Sequence, residues 1–209
     1  PEALPSGVAP PPEAPATPPD QRGVDSDPWH VLIVGRRPGE LIERNYLPLN
    51  LAAPVAFADL SWIRFGTVLR SNATTTAAAK RAIDLASRIG LNHVQLGANP
   101  VDGQAGAFAV DDPRLDLGAV VQFGRKHDLG IFVSLGARQL FPGCDPLFAA
   151  LAHHGVRGLV IEGGGVGECD QAWVAQVGAL AARHHLLLRL RGIRPAPGLS
   201  RTYPNVVFT

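Results

Sequence analysis

The sequence predicts an α/β protein built on a parallel sheet, and three observations carry that reading. Between residues 74 and 190 a helical segment followed by a short buried strand recurs four times. Each helical segment carries Arg, Lys or His near its last turn, where cations suit the helix dipole. Strands that alternate with helices of this length are βαβ units, because parallel strands need a crossover between them.

The elements follow in order. TTTAAAKRAIDLASRIG (74–90) opens with threonines suited to an N-cap, carries apolar residues at helical spacing and stops at Gly90. HVQLG (93–97) is a strand. DLGAVVQFGRKHDLG (116–130) is a helix ending at Gly130, and IFVSL (131–135) is the strand after it. PLFAALAHHG (146–155) and VRGLVIE (156–162) repeat the pattern, as do DQAWVAQVGALAARHH (170–185) and LLLRL (186–190). With SWIRF (61–65) as the first strand, the count is five strands and four helices. A doubly wound sheet and an incomplete (β/α)8 barrel both fit that count. A full barrel takes about 250 residues, and about 150 remain after residue 58.

The region before the repeats has a different character. Eight of the 19 prolines fall within residues 1–20. That density opposes helix and sheet ladders and favours solvated polyproline II, so residues 1–26 read as a disordered linker or tail. HVLIV (30–34) is a compact apolar run, β-branched in part and closed by the turn chemistry of GRRPG (35–39). ELIERNYLPLNLAAP (40–54) reads as irregular, broken by Pro48 and Pro54.

Composition narrows the function. The chain holds 19 Lys+Arg against 18 Asp+Glu, a net charge of +1. That balance argues against a surface made mainly for nucleic acid or an anionic membrane. No apolar run approaches the length of a membrane span, about 18 residues. Cys144 and Cys169 do not make a disulfide scaffold, their spacing is not that of a zinc site, and both read as free thiols. The sequence has no Met and begins at Pro1, so a fragment is expected and localisation cannot be read from this end.

In either α/β architecture the working residues sit at the C-terminal ends of strands and in the loops that follow. That rule selects Gly97–Asp102, Leu135–Gln139, Glu162–Glu168 and Arg191–Arg194. LVIEGGGVGE (159–168) is the richest of these. A carboxylate at the end of an apolar strand, followed by three glycines, is partly desolvated and leaves backbone open to a ligand. Glu162 is therefore a candidate nucleophile or general base. Its structural alternative is an ion pair with Arg189 or Arg191. GGGVG lacks the spacing of a dinucleotide fingerprint and a following Gly-Lys-Ser/Thr. His153–His154 and His184–His185 are adjacent on helices, about 100° apart in projection, so they suit helix ends better than metal chelation. Trp62, Trp173 and Phe123 read as packing residues.

HVLIVGRRPGELIERNYLPLNL (30–51) and DLSWIRFGTVLR (59–70) resemble the stretch that leads from an N-terminal β-sandwich into the barrel of glycoside hydrolase family 97. LFAALAHHGVRGLVIEG (147–163) resembles that family's helix and fourth strand, and GLSRTYPN (198–205) its most recognisable string. The resemblance implies an incomplete (β/α)8 barrel of about five strands. It divides the chain into the tail (1–26), the end of a β-sandwich domain with its connection (27–58), and the N-terminal part of the catalytic barrel (59–209). The family contains α-glucosidases and α-galactosidases, mostly secreted or periplasmic, and the resemblance implies a carbohydrate ligand.

Carried over by position, Glu162 stands where retaining members place a nucleophilic Asp. Gly192 stands where inverting members carry a Glu. The pattern is that of the retaining branch. Arg191 replaces a family His, and Arg194 with Pro195–Gly198 replaces a Tyr-Lys/Arg-Pro-Thr-Gly run, which makes Arg191 and Arg194 the candidate substrate-binding residues. Gly97 and Pro100 replace an acidic residue and a Trp. The family's acid/base Glu and a calcium-binding Glu are expected beyond Asn205. Calcium is thus implied as cofactor, with most of its ligands outside this chain and no metal ligand assigned within it. Two functional expectations follow: an α-glycosidase or part of one, or a diverged relative that kept the scaffold and lost catalysis.

Overall fold

The computed structural model describes residues 32–44, 46–97, 113–140, 144–162, 171–193 and 198–209. The chain divides after Val34. Of the first part only Leu32–Val34 are described. They form no strand, and Leu32 and Val34 are exposed; the rest of the apolar run HVLIV lies outside the described residues. The proline-rich segment 1–26 lies outside the described residues.

From Gly35 onward the chain begins with two short helices, α1 (Pro38–Glu43) and α2 (Tyr46–Leu51). The expectation of irregular chain over 40–54 is corrected here, and the reason is where the prolines fall. Pro38 opens α1 and Pro48 sits in the first turn of α2, where the missing N–H has no intrahelical partner to lose. The Arg36 N–H donates to Glu40 Oε2 at 2.9 Å and ties the start of α1.

Six parallel strands follow: β1 (Val68–Ser71), β2 (His93–Leu96), β3 (Gly130–Gly136), β4 (Gly158–Glu162), β5 (Leu187–Arg191) and β6 (Val206–Phe208). Their order in the sheet is their order in the chain. A doubly wound sheet reverses direction at a switch point, whereas this sheet advances one strand at a time, the winding of a (β/α)8 barrel. Helices α3 (Thr76–Arg88), α4 (Leu117–Lys126), α5 (Asp145–His154) and α6 (Gln171–Arg183) supply four crossovers, and the four-residue helix α7 (Leu199–Thr202) precedes β6.

Two strand expectations are corrected. SWIRF is not the first strand; β1 begins three residues later. The Trp62 N–H of the ring donates to the Asp59 carbonyl, and Ile63 N–H closes a turn on Leu60. The Trp62 ring stacks between Phe57 and His185, with centroids 5.8 and 5.1 Å away. The apolar pattern of this segment thus reflects packing beneath the strands rather than a ladder. The count is six rather than five, because β6 offers only three residues after Pro204, too short a run to register as a strand in sequence.

Helix ends follow their sequence signals. Thr75 Oγ1 accepts from Ala78 N–H at 3.3 Å and Asp116 Oδ1 from Ala119 N–H at 2.9 Å, the N-cap geometry that satisfies an orphan donor. Gly155 ends α5 at φ 81°, a left-handed conformation that favours glycine. Between the sheet and the helices, Val94, Ile131, Val133, Leu159, Ile161, Leu188 and Leu190 form the main core with Ile83, Val120, Phe148 and Leu151. Since side chains alternate along a strand, the residues between them point to the opposite, inner face. Among the described residues no helix is long and apolar enough to cross a membrane.

Candidate functional site

Alternation decides which residues reach the inner face. Leu159 and Ile161 face the helices, so Val160 and Glu162 face inward; Leu188 and Leu190 face the helices, so Leu187, Arg189 and Arg191 face inward. Register then aligns the strand ends, with Gly136 opposite Glu162 and Glu162 opposite Arg191. Gly136 contributes no side chain, which leaves space beside Glu162.

Arg191 Nη1 donates to Glu162 Oε1 at 2.9 Å. The side chains are 15% exposed at Glu162 and 31% at Arg191, so the pair is held largely out of water but open on one side. Glu162 Oε2 makes no hydrogen bond to a described residue. Directly after Arg191 the chain turns through Gly192 at φ 65°, where an L side chain would be strained. On the neighbouring row Arg189 Nε donates to Thr209 Oγ1 at 3.1 Å. Deeper on the same face, Gln95 Nε2 donates to Ser134 Oγ at 2.7 Å in a fully buried contact.

The structure therefore joins two sequence-predicted residues, Glu162 and Arg191, and it resolves the choice of partner in favour of Arg191 over Arg189. Arg194 lies outside the described residues, as do Ala98–Asp102 of the loop after β2 and Gly163–Glu168 of the loop after β4. Sequence reasoning missed the Arg189–Thr209 and Gln95–Ser134 contacts. The signal for the first was present, because counting back by two from Arg191 places Arg189 on the inner face.

Among the described strand residues Glu162 is the one carboxylate on the inner face. No three His, Cys, Asp or Glu side chains among the described residues converge on a point a metal could occupy. Calcium takes six to eight oxygen ligands, and the described residues offer no acidic cluster to begin such a shell. The aromatic residues behave as packing: Trp62 is 8% exposed, and Phe123 and Trp173 lean on the main core. Cys144 is a free thiol whose pKa burial raises, and Cys169 lies outside the described residues. His153 and His154 occupy the last turn of α5 as expected. His184, by contrast, bonds across to Asp145 of α5 at 2.6 Å.

The profile of Glycoside hydrolase 97 matches residues 62–209. The chain belongs to glycoside hydrolase family 97. Among curated proteins it is similar to a retaining alpha-galactosidase of Bacteroides thetaiotaomicron, 27% identical over an aligned length of 197 that covers 86% of this chain and 29% of that protein. Among solved structures it is similar to a family 97 enzyme from Pseudoalteromonas sp. strain K8 in complex with acarbose. The TM-score is 0.61 at 18% identity, over 76% of this chain and 31% of that one. A beta-arabinopyranosidase gives a TM-score of 0.59 at 18% identity, over 77% of this chain and 27% of that one. These likenesses show the fold, and this chain spans less than a third of each of those proteins. Family 97 membership accounts for the sequential winding of the sheet.

The string GLSRTYPN, which carried much of the resemblance, is structural here. Arg201 Nη1 donates to the Leu49 carbonyl at 2.9 Å and Thr202 Oγ1 to the Ala53 carbonyl at 2.8 Å. The Ala56 N–H returns a bond to the Thr202 carbonyl at 2.9 Å. Buried Asn205 Nδ2 donates to the carbonyls of Gly178 and Leu186 at 3.2 and 3.3 Å. The string thus fastens the connecting segment before β1 and seats the end of α6 against the start of β5.

Proposed function

We propose that this chain carries the nucleophile side of a site that hydrolyses α-glycosidic bonds with retention. The observation behind the proposal is Glu162, a half-enclosed carboxylate on the inner face at the C-terminal end of β4, in a family 97 chain similar to a retaining alpha-galactosidase. An α-galactoside is accordingly the first substrate to try and an α-glucoside the second. Glu162 Oε2 would attack the anomeric carbon as the leaving oxygen departs, forming a glycosyl ester that water then opens. Arg191 would hold Oε1 and fix the rotamer of the carboxylate. A retaining site needs a second carboxyl about 5–5.5 Å away to protonate the leaving oxygen and later activate water. That group is not among the described inner-face residues, so the proposal assigns it no residue here.

The Arg191 bond also favours a second reading. An arginine at 2.9 Å neutralises the carboxylate and draws density from it, as a purely structural pair would. Release of p-nitrophenol from p-nitrophenyl α-galactoside separates the two readings, using this chain and any longer polypeptide that contains it. With Glu162 as nucleophile, Glu162→Gln removes turnover by about 1000-fold or more while the circular dichroism spectrum is unchanged. Equal turnover in wild type and Glu162→Gln would leave the carboxylate a structural role alone.

A further inference from the structure

At the end of the sheet opposite Glu162 lies an open cleft of about 1060 Å³. It is walled by the segment entering β1, by the residues that begin β2 to β4, and by the C-terminal ends of α4 and α5. Arg157, just before β4, is five residues from Glu162, about 16–17 Å along an extended strand. The cleft is therefore separate from the site proposed above, and its interpretation does not depend on that proposal.

The lining is strongly cationic. Arg64, Arg125 and Arg157 all border the cleft, against the single carboxylate of Asp128. Among the described residues neither Arg64 nor Arg125 forms an ion pair. Arg157 donates to the Trp62 carbonyl rather than to a carboxylate. Burial, and then repulsion from Arg64, lower the Arg157 pKa. Arg64 and Arg157 thus lie close enough to repel one another, and an anion between two such guanidinium groups is stabilised.

Two further observations point the same way. His93 borders the cleft at 6% exposure, and its ring nitrogens make no well-formed hydrogen bond, the Arg64 backbone being the nearby polar group. A buried polar group without a partner is uncommon and marks a place where a bound species completes the bonding. Gly155, at φ 81°, lies directly beneath the Arg125 guanidinium, and a Cβ built there would collide with Nη2. The glycine that ends α5 thus makes room for an arginine to cross the helix end. Phe65, 49% exposed on the same cleft, offers an apolar face of the kind that a sugar ring covers.

We propose that this cleft is a binding site for a small polyvalent oxyanion, phosphate or sulfate, free or as a sugar ester, held by Arg64, Arg125 and Arg157 with His93 as a further donor. Placed at the N-terminal end of the strands, it is a ligand site away from the chemistry, since barrel catalysis uses the other end.

The test is a titration of the 209-residue chain, followed by NMR of the arginine Nε–Hε resonances, with ionic strength held constant by chloride. Inorganic phosphate, sulfate and galactose 6-phosphate are the three probes. The site predicts saturable shifts at Arg64, Arg125 and Arg157, and a loss of affinity of about tenfold or more in Arg64→Gln/Arg125→Gln. Tighter binding of galactose 6-phosphate than of phosphate assigns the ester as the ligand, and equal affinity assigns the free oxyanion. Shifts that fail to saturate and are shared by an exposed arginine such as Arg36 would overturn the proposal, as would unchanged affinity in the double variant. Should that variant not fold, the wild-type titration decides alone by whether the three arginine signals saturate.

Discussion

Glu162 and Arg191 are the last residues of adjacent parallel strands, paired in register and joined at 2.9 Å on the inner face. One contact thereby closes the end of the β4–β5 ladder and fixes the carboxylate proposed as nucleophile. Any substitution at either position consequently acts on the sheet and on reactivity together, and stability measurements are needed to tell the two apart.

The first prediction concerns that coupling. Removing one partner leaves a charge in a site that is less than a third exposed on either side. Breaking such a pair costs more than replacing both members, because the surviving charge keeps its desolvation penalty. Urea unfolding of Glu162→Gln, Arg191→Gln and the double variant should yield a coupling energy of about 1–2 kcal/mol. Strictly additive changes would mean that the pair contributes nothing to stability.

Asp116 gives the second prediction. Its Oδ1 caps α4 through Ala119 N–H, and its own N–H donates to Thr76 Oγ1 at 2.8 Å, tying the starts of α3 and α4 together. Asp116→Ala should lower stability by about 1 kcal/mol, and Asp116→Asn should restore most of it. Thermal melts of the two variants check this, and equal losses would show that the cap oxygen is not the cause.

The third prediction tests the structural role of the RTYPN string. Buried Asn205 Nδ2 donates to the carbonyls of Gly178 in α6 and of Leu186 just before β5, tying the helix to the strand. In Asn205→Ala the Leu186 carbonyl loses this donor and the tie to Gly178 in α6 is cut, a loss of about 1–3 kcal/mol. Hydrogen exchange should quicken first at the α6–β5 junction. Faster exchange spread evenly over all six strands would place the effect elsewhere.

Much of this fold is legible in sequence because helix and strand periods dominate locally. Thr75 and Asp116 announce helix starts, Gly155 announces an end, and IFVSL and LLLRL are buried strands in both views. The illegible parts depend on tertiary contact. SWIRF has a strand's composition, yet Trp62 serves as a plug between Phe57 and His185. β6 is too short to be seen without β5 beside it. Glu162 and Arg191 are each found from their strand-end positions, but only register identifies them as partners. The cationic cleft is invisible in sequence, since Arg64, His93, Arg125 and Arg157 come from four separate segments.

The last prediction is a pH dependence centred on His93. Burial lowers its pKa from 6.5, the Arg64 backbone opposes that in part, and nearby Arg157 adds a smaller lowering effect. The neutral ring is thus the folded form. Below pH 6.5 the unfolded chain takes up a proton at this position that the folded chain refuses, so the unfolded state binds more protons. Stability accordingly rises with pH in that window. The contribution is whole above pH 6.5 and is lost as pH falls from 6.5 to the depressed folded value. Asp145 titrates lower, its pKa held down chiefly by the hydrogen bond from His184, so its loss belongs to a more acidic range. Urea midpoints measured in steps from pH 7.5 to 5 should therefore fall in the wild type. In His93→Phe, which keeps a ring against Phe132 and cannot titrate, the same midpoints should fall less. Parallel curves for the two proteins would show that another group governs the acid limb.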